Sequence, residues 1–167
     1  SDIAAETRRG GGICLVLSDR RRHCEILQAM LRIGEKIDAE RLTGDLSPAQ
    51  RRAVLERLQS GTVKVLLATG QLVGEGFDCP ELSTLFLATP IRFGGRLLQY
   101  LGRVLRIAPG KGKARVYDYV DGRVDSLRAA ANARQRVYAR GHGLNDLSHG
   151  DWNASSGRKT PGSTNDR

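Results

Sequence analysis

No glycine-rich GxxxxGK[ST] phosphate loop occurs anywhere in this 167-residue chain, and no apolar run approaches the roughly 18 residues a membrane-spanning helix needs. The stretch Gly74-Glu75-Gly76 lacks the third glycine of a dinucleotide-binding turn. Aromatic residues are only 5% of the chain, so its core must be mostly aliphatic. Cysteine is scarce and odd in number: Cys14, Cys24 and Cys79 form no CxxC pair. That argues against a disulfide framework or a zinc site and for reduced thiols in a soluble cytoplasmic protein. The adjacent His23 and Cys24 would point about 100° apart on a helix, which favours a structural reading over metal ligation. No metal site is expected. No secretory signal is evident either, so no membrane partner is expected.

Lysine is also rare. Five lysines stand against 22 arginines, and the net charge is +9. A basic balance carried by arginine suits a polyanionic partner, meaning nucleic acid or phosphates. The length fits one domain of ordinary size.

The apolar residues fall into short runs. ICLVLS (13–18), VKVLLAT (63–69), STLFLAT (83–89) and ARVYDYV (114–120) read as strands, the first two buried on both faces, and KIDAERL (36–42) as a weaker one. Between them lie helical patterns. DRRRHCEILQAMLRIG places Ile26, Leu27, Met30 and Leu31 on one stripe, with Gly34 as a stop. SPAQRRAVLERLQSG carries a capping box from Ser47 to Gln50, Pro48 in the first turn and Gly61 at the exit. GGRLLQYLGRVLR and residues 124–140 complete the helices. Residues 1–12 are polar and glycine-rich, expected to be a linker or domain edge, and 147–167 an expected disordered tail.

Strands alternating with helices imply right-handed crossovers and an α/β fold with a mainly parallel sheet flanked by helices. Ligands of such sheets bind outside the strands' carboxyl ends. Here those ends are Ser18-Asp19, Thr43-Gly44, Thr69-Gly70 and Thr89-Pro90, small or hydroxylated residues that let phosphate oxygens approach. Turns need the same residue types, but four such ends on one edge of a basic chain favour a binding role.

The segment QYLGRVLR (99–106) poses a sharper question. At 100° per residue, Gln99, Arg103 and Arg106 form one row, while Leu97, Leu98, Leu101, Val104 and Leu105 lie opposite. No acid occurs between Glu81 and Asp118. Gly102 beside the row costs a helix roughly 1 kcal/mol relative to alanine and leaves room for a close approach. A planar guanidinium fork suits phosphate oxygens. In ATGQLVGEGFDCPEL (68–82), Asp78 either accepts from a ribose hydroxyl or caps a turn.

In this order, ICLVLSDRRRHCEIL, ERLTGDLSPAQRRAVLERLQSG, VKVLLATGQLVGEGFDCPELSTLFLATP and LLQYLGRVLRIAPGKGKARVYDYVD resemble the C-terminal RecA-like domain of superfamily-two helicases, near the DEAH and type III restriction enzyme branch. The resemblance covers roughly residues 13–121; its most specific parts are Q-x-x-G-R-x-x-R and G-E-G-F-D. It implies a RecA-like three-layer sandwich over residues 13–146. Gln99, Arg103 and Arg106 match the family's motif VI. There the arginines reach across an interdomain cleft to the ATP γ-phosphate, and Arg106 would be the arginine finger. Gly76 and Asp78 match motif V, with the acid on the ribose. Ser18, Thr43, Gly44, Arg51 and Thr69 match positions along the nucleic-acid track. Val16 and Leu17 stand where many relatives carry an aromatic residue. Gln99, rather than the histidine of DEAD-box RNA helicases, leans toward DNA over RNA.

The chain shows no DExx box after a strand. ATP and Mg²⁺ would therefore be held by an N-terminal RecA-like domain of the same parent chain. Two readings follow: the C-terminal motor domain of an ATP-dependent helicase or translocase, inactive alone, or a stand-alone nucleic-acid-binding or regulatory module on the same fold.

Overall fold

The computed structural model describes residues 1–10, 12–70, 79–89, 102, 114–119 and 125–140, with side chains in the last segment at 125 and 129–136. Five strands form one sheet: β1 (Ile13–Ser18), β2 (Glu40–Leu42), β3 (Val65–Thr69), β4 (Leu82–Leu87) and β5 (Arg115–Asp118). Their order is β2-β3-β1-β4-β5, and every pairing is parallel. Strands expected at 36–42, 63–69, 83–89 and 114–120 are thus present but shorter or shifted by a residue.

All six residues of β1 and all six of β4 are buried, as continuous apolar runs require when both faces are covered. Successive side chains go to opposite faces. One face gathers Leu15, Leu17, Leu42, Leu66, Ala68, Leu85 and Leu87 against Val54 and Leu58 of α3 (Pro48–Gln59). The other gathers Cys14, Val16, Val65, Leu67 and Phe86 against Cys24, Leu27 and Leu31. Each fully buried leucine contributes about 1.5–3 kcal/mol relative to exposure. The Phe86 ring stacks on Tyr117 at 4.5 Å between centroids.

The second face is covered by α2 (Arg21–Met30), which continues as a π-helical turn over Leu31–Glu35. Here the structure corrects the sequence reading twice. The core-facing stripe is Cys24 and Leu31, both buried, with Leu27 partly buried against them, while Ile26 and Met30 are 48% and 62% exposed. The helix stops on Lys36, at φ 57°, and Gly34 lies within the π turn. The capping box is as expected: Ser47 Oγ accepts from Gln50 N–H, and the Gln50 side chain accepts from Ser47 N–H at 2.8 Å.

The expected linker at 1–12 is also corrected. Asp2–Arg9 form a helix, α1, with Ala4 and Glu6 buried. Glu6 is held by Arg9 Nη1 at 2.5 Å, Tyr117 Oη at 2.8 Å and Arg115 Nη1 at 3.2 Å, which fastens α1 to β5. Buried charge needs such partners. The last helix, α4 (Asp125–Arg140), agrees with the pattern at 124–140. The expected tail at 147–167 lies outside the described residues.

Candidate nucleic-acid interface

The register aligns Leu42, Ala68, Leu17, Leu87 and Asp118 in one row across the sheet. One residue further lie Thr43, Thr69 and Ser18, with Ser18 directly paired to Thr69. The predicted strand-end residues therefore share one edge. From β1 the chain turns toward β2, and from β4 toward β5, so the sheet's connections diverge on either side of β1 and β4. Such a divergence opens a crevice at the carboxyl ends. Two hydrogen bonds tie its walls together: Asp19 N–H donates to Thr89 Oγ1 at 2.9 Å, and Ala88 N–H to Leu17 O at 2.9 Å.

The individual side chains behave differently from one another. Ser18 and Thr43 are each only 1% exposed, so their hydroxyls serve the protein interior. The Thr43 hydroxyl beside Asp45 holds that carboxyl below the usual range, with the adjoining backbone and the more distant Arg21 acting in the same direction. Thr43 O also accepts from Leu46 N–H at 3.1 Å, which shapes the loop into α3. Thr69 is half-buried and Gly44 is exposed, with nothing within 4 Å of where a side chain would begin. Arg51, in the first turn of α3, has a buried Nε with no hydrogen-bond partner among the described residues. A buried donor left unmatched costs about 1–3 kcal/mol.

Arg20, Arg21 and Arg22 stand exposed where β1 passes into α2. Among the described residues only Arg21 has an ion-pair partner in this group, Asp45 at 3.9 Å. The sequence reading passed over this triplet and took His23, with Cys24, as structural; its Nδ1 lies 2.9 Å from Ser18 Oγ. Its signal was available: His23 follows Ser18 by five residues, in the first turn of the helix leaving β1. Cys24 was read correctly as structural. Burial pushes its thiol upward, as it does for Cys14, to about 11, and Cys79, to about 12.

Gln99, Arg103, Arg106, Gly76 and Asp78 lie outside the described residues. Of that helix only Gly102 is described. It is helical and exposed, and a Cβ added there would meet nothing within 4 Å. Among the described residues, no group of three His, Cys, Asp or Glu is placed to hold a metal ion, and no helix is long and apolar enough to cross a membrane.

A parallel sheet with helices on both faces and a hydroxyl-lined, arginine-rimmed carboxyl edge defines a RecA-like α/β domain. The chain belongs to the helicase conserved C-terminal domain family, whose model matches residues 2–108. The match takes in α1, which the sequence reading had left outside the domain. A structure titled "Crystal structure of the C-terminal part of Fun30 ATPase domain" superposes with a TM-score of 0.63 over 72% of this chain and 39% of that one, at 12% identity. The chain is 26% identical over 84 residues to "Putative ATP-dependent helicase IRC3" of Saccharomyces cerevisiae, covering 50% of this chain and 12% of that protein. It is 29% identical over 107 residues to "Putative helicase 22" of Sulfolobus islandicus filamentous virus, covering 64% and 19%. The chain thus spans less than a fifth of the length of either relative. It is a helicase conserved C-terminal domain.

Proposed function

We propose that this domain is the C-terminal motor half of an ATP-dependent nucleic-acid helicase or translocase, of the DEAH or type III restriction enzyme-like branch. It works with an N-terminal RecA-like domain, on DNA rather than RNA. The observation that carries this reading is the family match over residues 2–108, which takes in both G-E-G-F-D and Q-x-x-G-R-x-x-R. ATP and Mg²⁺ are held mainly by the partner domain's phosphate loop and acids. Gly76, Asp78 and Gln99 complete the nucleotide site, and Arg103 and Arg106 neutralise charge at the γ-phosphate. Thr69, Gly44 and Arg51 follow the nucleic-acid backbone, with Ser18 and Thr43 supporting that edge from beneath. Arg20 and Arg22, exposed and without an ion pair among the described residues, support a polyanion there. Three free buried thiols fit a reducing cytoplasm.

The test is Arg106→Ala in the complete parent protein. An arginine finger is worth about 10³–10⁵ in phosphoryl-transfer rate, so nucleic-acid-stimulated ATP turnover should fall by orders of magnitude. ATP affinity should survive, because the loss is confined to the transition state. Near-wild-type turnover would overturn the finger.

A further inference from the structure

Ser18 matches a nucleic-acid-contacting position, yet it is 1% exposed. What it touches is His23. Ser18 Oγ accepts from Arg20 N–H at 3.3 Å, lies 3.4 Å from Arg20 O, and lies 2.9 Å from His23 Nδ1. A hydroxyl has one proton to give. The carbonyl at 3.4 Å is a long partner for an O–H donor, the ring nitrogen at 2.9 Å a nearer one, and the Ser18 side chain also hydrogen-bonds the Cys24 thiol. One of the two arrangements this contact allows has Ser18 donating to Nδ1, which places the proton of a neutral imidazole on Nε2. That Nε2–H has no partner among the described residues, and the ring is only half-buried. The next residue, Cys24, is buried in the core, which fixes the helix turn from which His23 departs. Arg20 and Arg22, near His23 in sequence, are exposed with no ion pair among the described residues.

A serine–histidine pair also begins a hydrolytic triad, but burial of Ser18 rules that out here. An Oγ that is enclosed and already accepting from Arg20 N–H has no path to a substrate carbonyl. The group of the pair that is partly open to solvent is the imidazole, on the same turn as the exposed Arg20, Arg21 and Arg22.

We propose that His23 contacts phosphodiester oxygens of a single-stranded nucleic acid crossing the carboxyl edge of the sheet. Ser18 is a positioning residue that acts through it by holding the Nε2–H tautomer. The inference rests on the reading of this edge as a nucleic-acid track and adds to it a contact residue outside the assigned set. Arg20, Arg21 and Arg22 supply charge without direction, whereas the imidazole supplies one oriented donor.

The experiment uses the whole chain, a fluorescent oligothymidylate and anisotropy at low salt. His23→Ala should weaken binding about 10- to 150-fold, the range for one hydrogen bond to a charged acceptor. His23→Gln, which places an amide N–H near the Nε2 position, should recover most of that. Ser18→Ala should weaken binding less and should shift the His23 ring nitrogen signals toward a tautomer mixture at about pH 8, where an ordinary imidazole is neutral. The ring signals of the wild type must show Nε2–H; an Nδ1–H tautomer would overturn the positioning role of Ser18. Wild-type binding with His23→Ala unchanged overturns the His23 contact alone. No oligonucleotide binding by the wild type overturns the nucleic-acid reading of the edge, and this inference with it. Tripolyphosphate and ATP form the second arm. If His23→Ala weakens their binding and spares the oligonucleotide, the contact belongs to a nucleotide and the proposal fails.

Discussion

Arg134 of α4 grips Asp118 at the end of β5 through two parallel hydrogen bonds, Nε to Oδ2 at 2.7 Å and Nη2 to Oδ1 at 2.8 Å. Both side chains are almost wholly buried, at 4% and 3% exposure. Removing one partner of such a pair leaves a desolvated charge, so Arg134→Ala should destabilise the domain by about 3–5 kcal/mol. Urea unfolding measures it. Because the cost is uncompensated charge rather than lost attraction, a double replacement by Leu at 118 and Met at 134 should be less damaging than the single change. A loss under about 1 kcal/mol for Arg134→Ala would show that the pair is replaceable by water.

Gly12 sits at φ +117°, immediately before β1, and a Cβ there would lie 2.6 Å from Glu81 O and 2.9 Å from Ser83 Oγ. The nearest atom is backbone and cannot swing aside. The backbone region is also one that side-chain-bearing residues avoid. Gly12→Ala should cost roughly 2–4 kcal/mol. Gly10→Ala, at φ +75° with nothing within 4 Å, meets no such collision and should cost less. Equal midpoints in urea for the two variants would contradict this.

Alkali should weaken the fold through Tyr117. Burial first, then its hydrogen bond to Glu6 and that carboxylate's charge, push the phenol up to about 12. The unfolded chain releases this proton near 10, so the folded state binds more protons between the two values. The contribution is therefore complete below about pH 10 and is lost as pH rises toward 12. Cys14 and Cys79 act in the same direction. Tyr117→Phe should lower stability at neutral pH by freeing a partner of Glu6, yet flatten the alkaline decline. A variant whose decline is as steep as the wild type's would remove Tyr117 from the account.

The isolated chain should not hydrolyse ATP and should bind nucleic acid weakly, without sequence preference, and with strong salt dependence. Neutralising Z phosphates of a single strand gives log K falling with log salt at a slope of about −0.7Z. Arg20, Arg22 and Arg51 are the described contributors at the edge. Anisotropy at two ionic strengths and a phosphate-release assay check both halves. Equal affinity at the two salts, or turnover that follows the protein through purification, would contradict them.

The amino-acid order alone determined the elements whose causes are local. The short apolar runs within 13–18 and 63–69 fit strands covered on both faces. Ser47, Pro48 and Gln50 announce the start of α3 because a cap needs only neighbours three residues away. The small and hydroxylated strand ends were legible for the same reason, and parallel crossovers then obliged them to share an edge. Tertiary structure decided what no window contains. Periodicity could not separate Leu27 and Leu31 from Ile26 and Met30, since only the direction in which α2 meets the sheet makes one pair core and the other surface. Residues 1–12 looked like a linker because what buries Glu6 of α1 lies at Arg115 and Tyr117, over a hundred positions away. Ser18 looked like a contact residue by its place at a strand end. Its burial, and its hydrogen bond with His23, follow from how the chain turns back after β1 into α2 and from the packing over that turn.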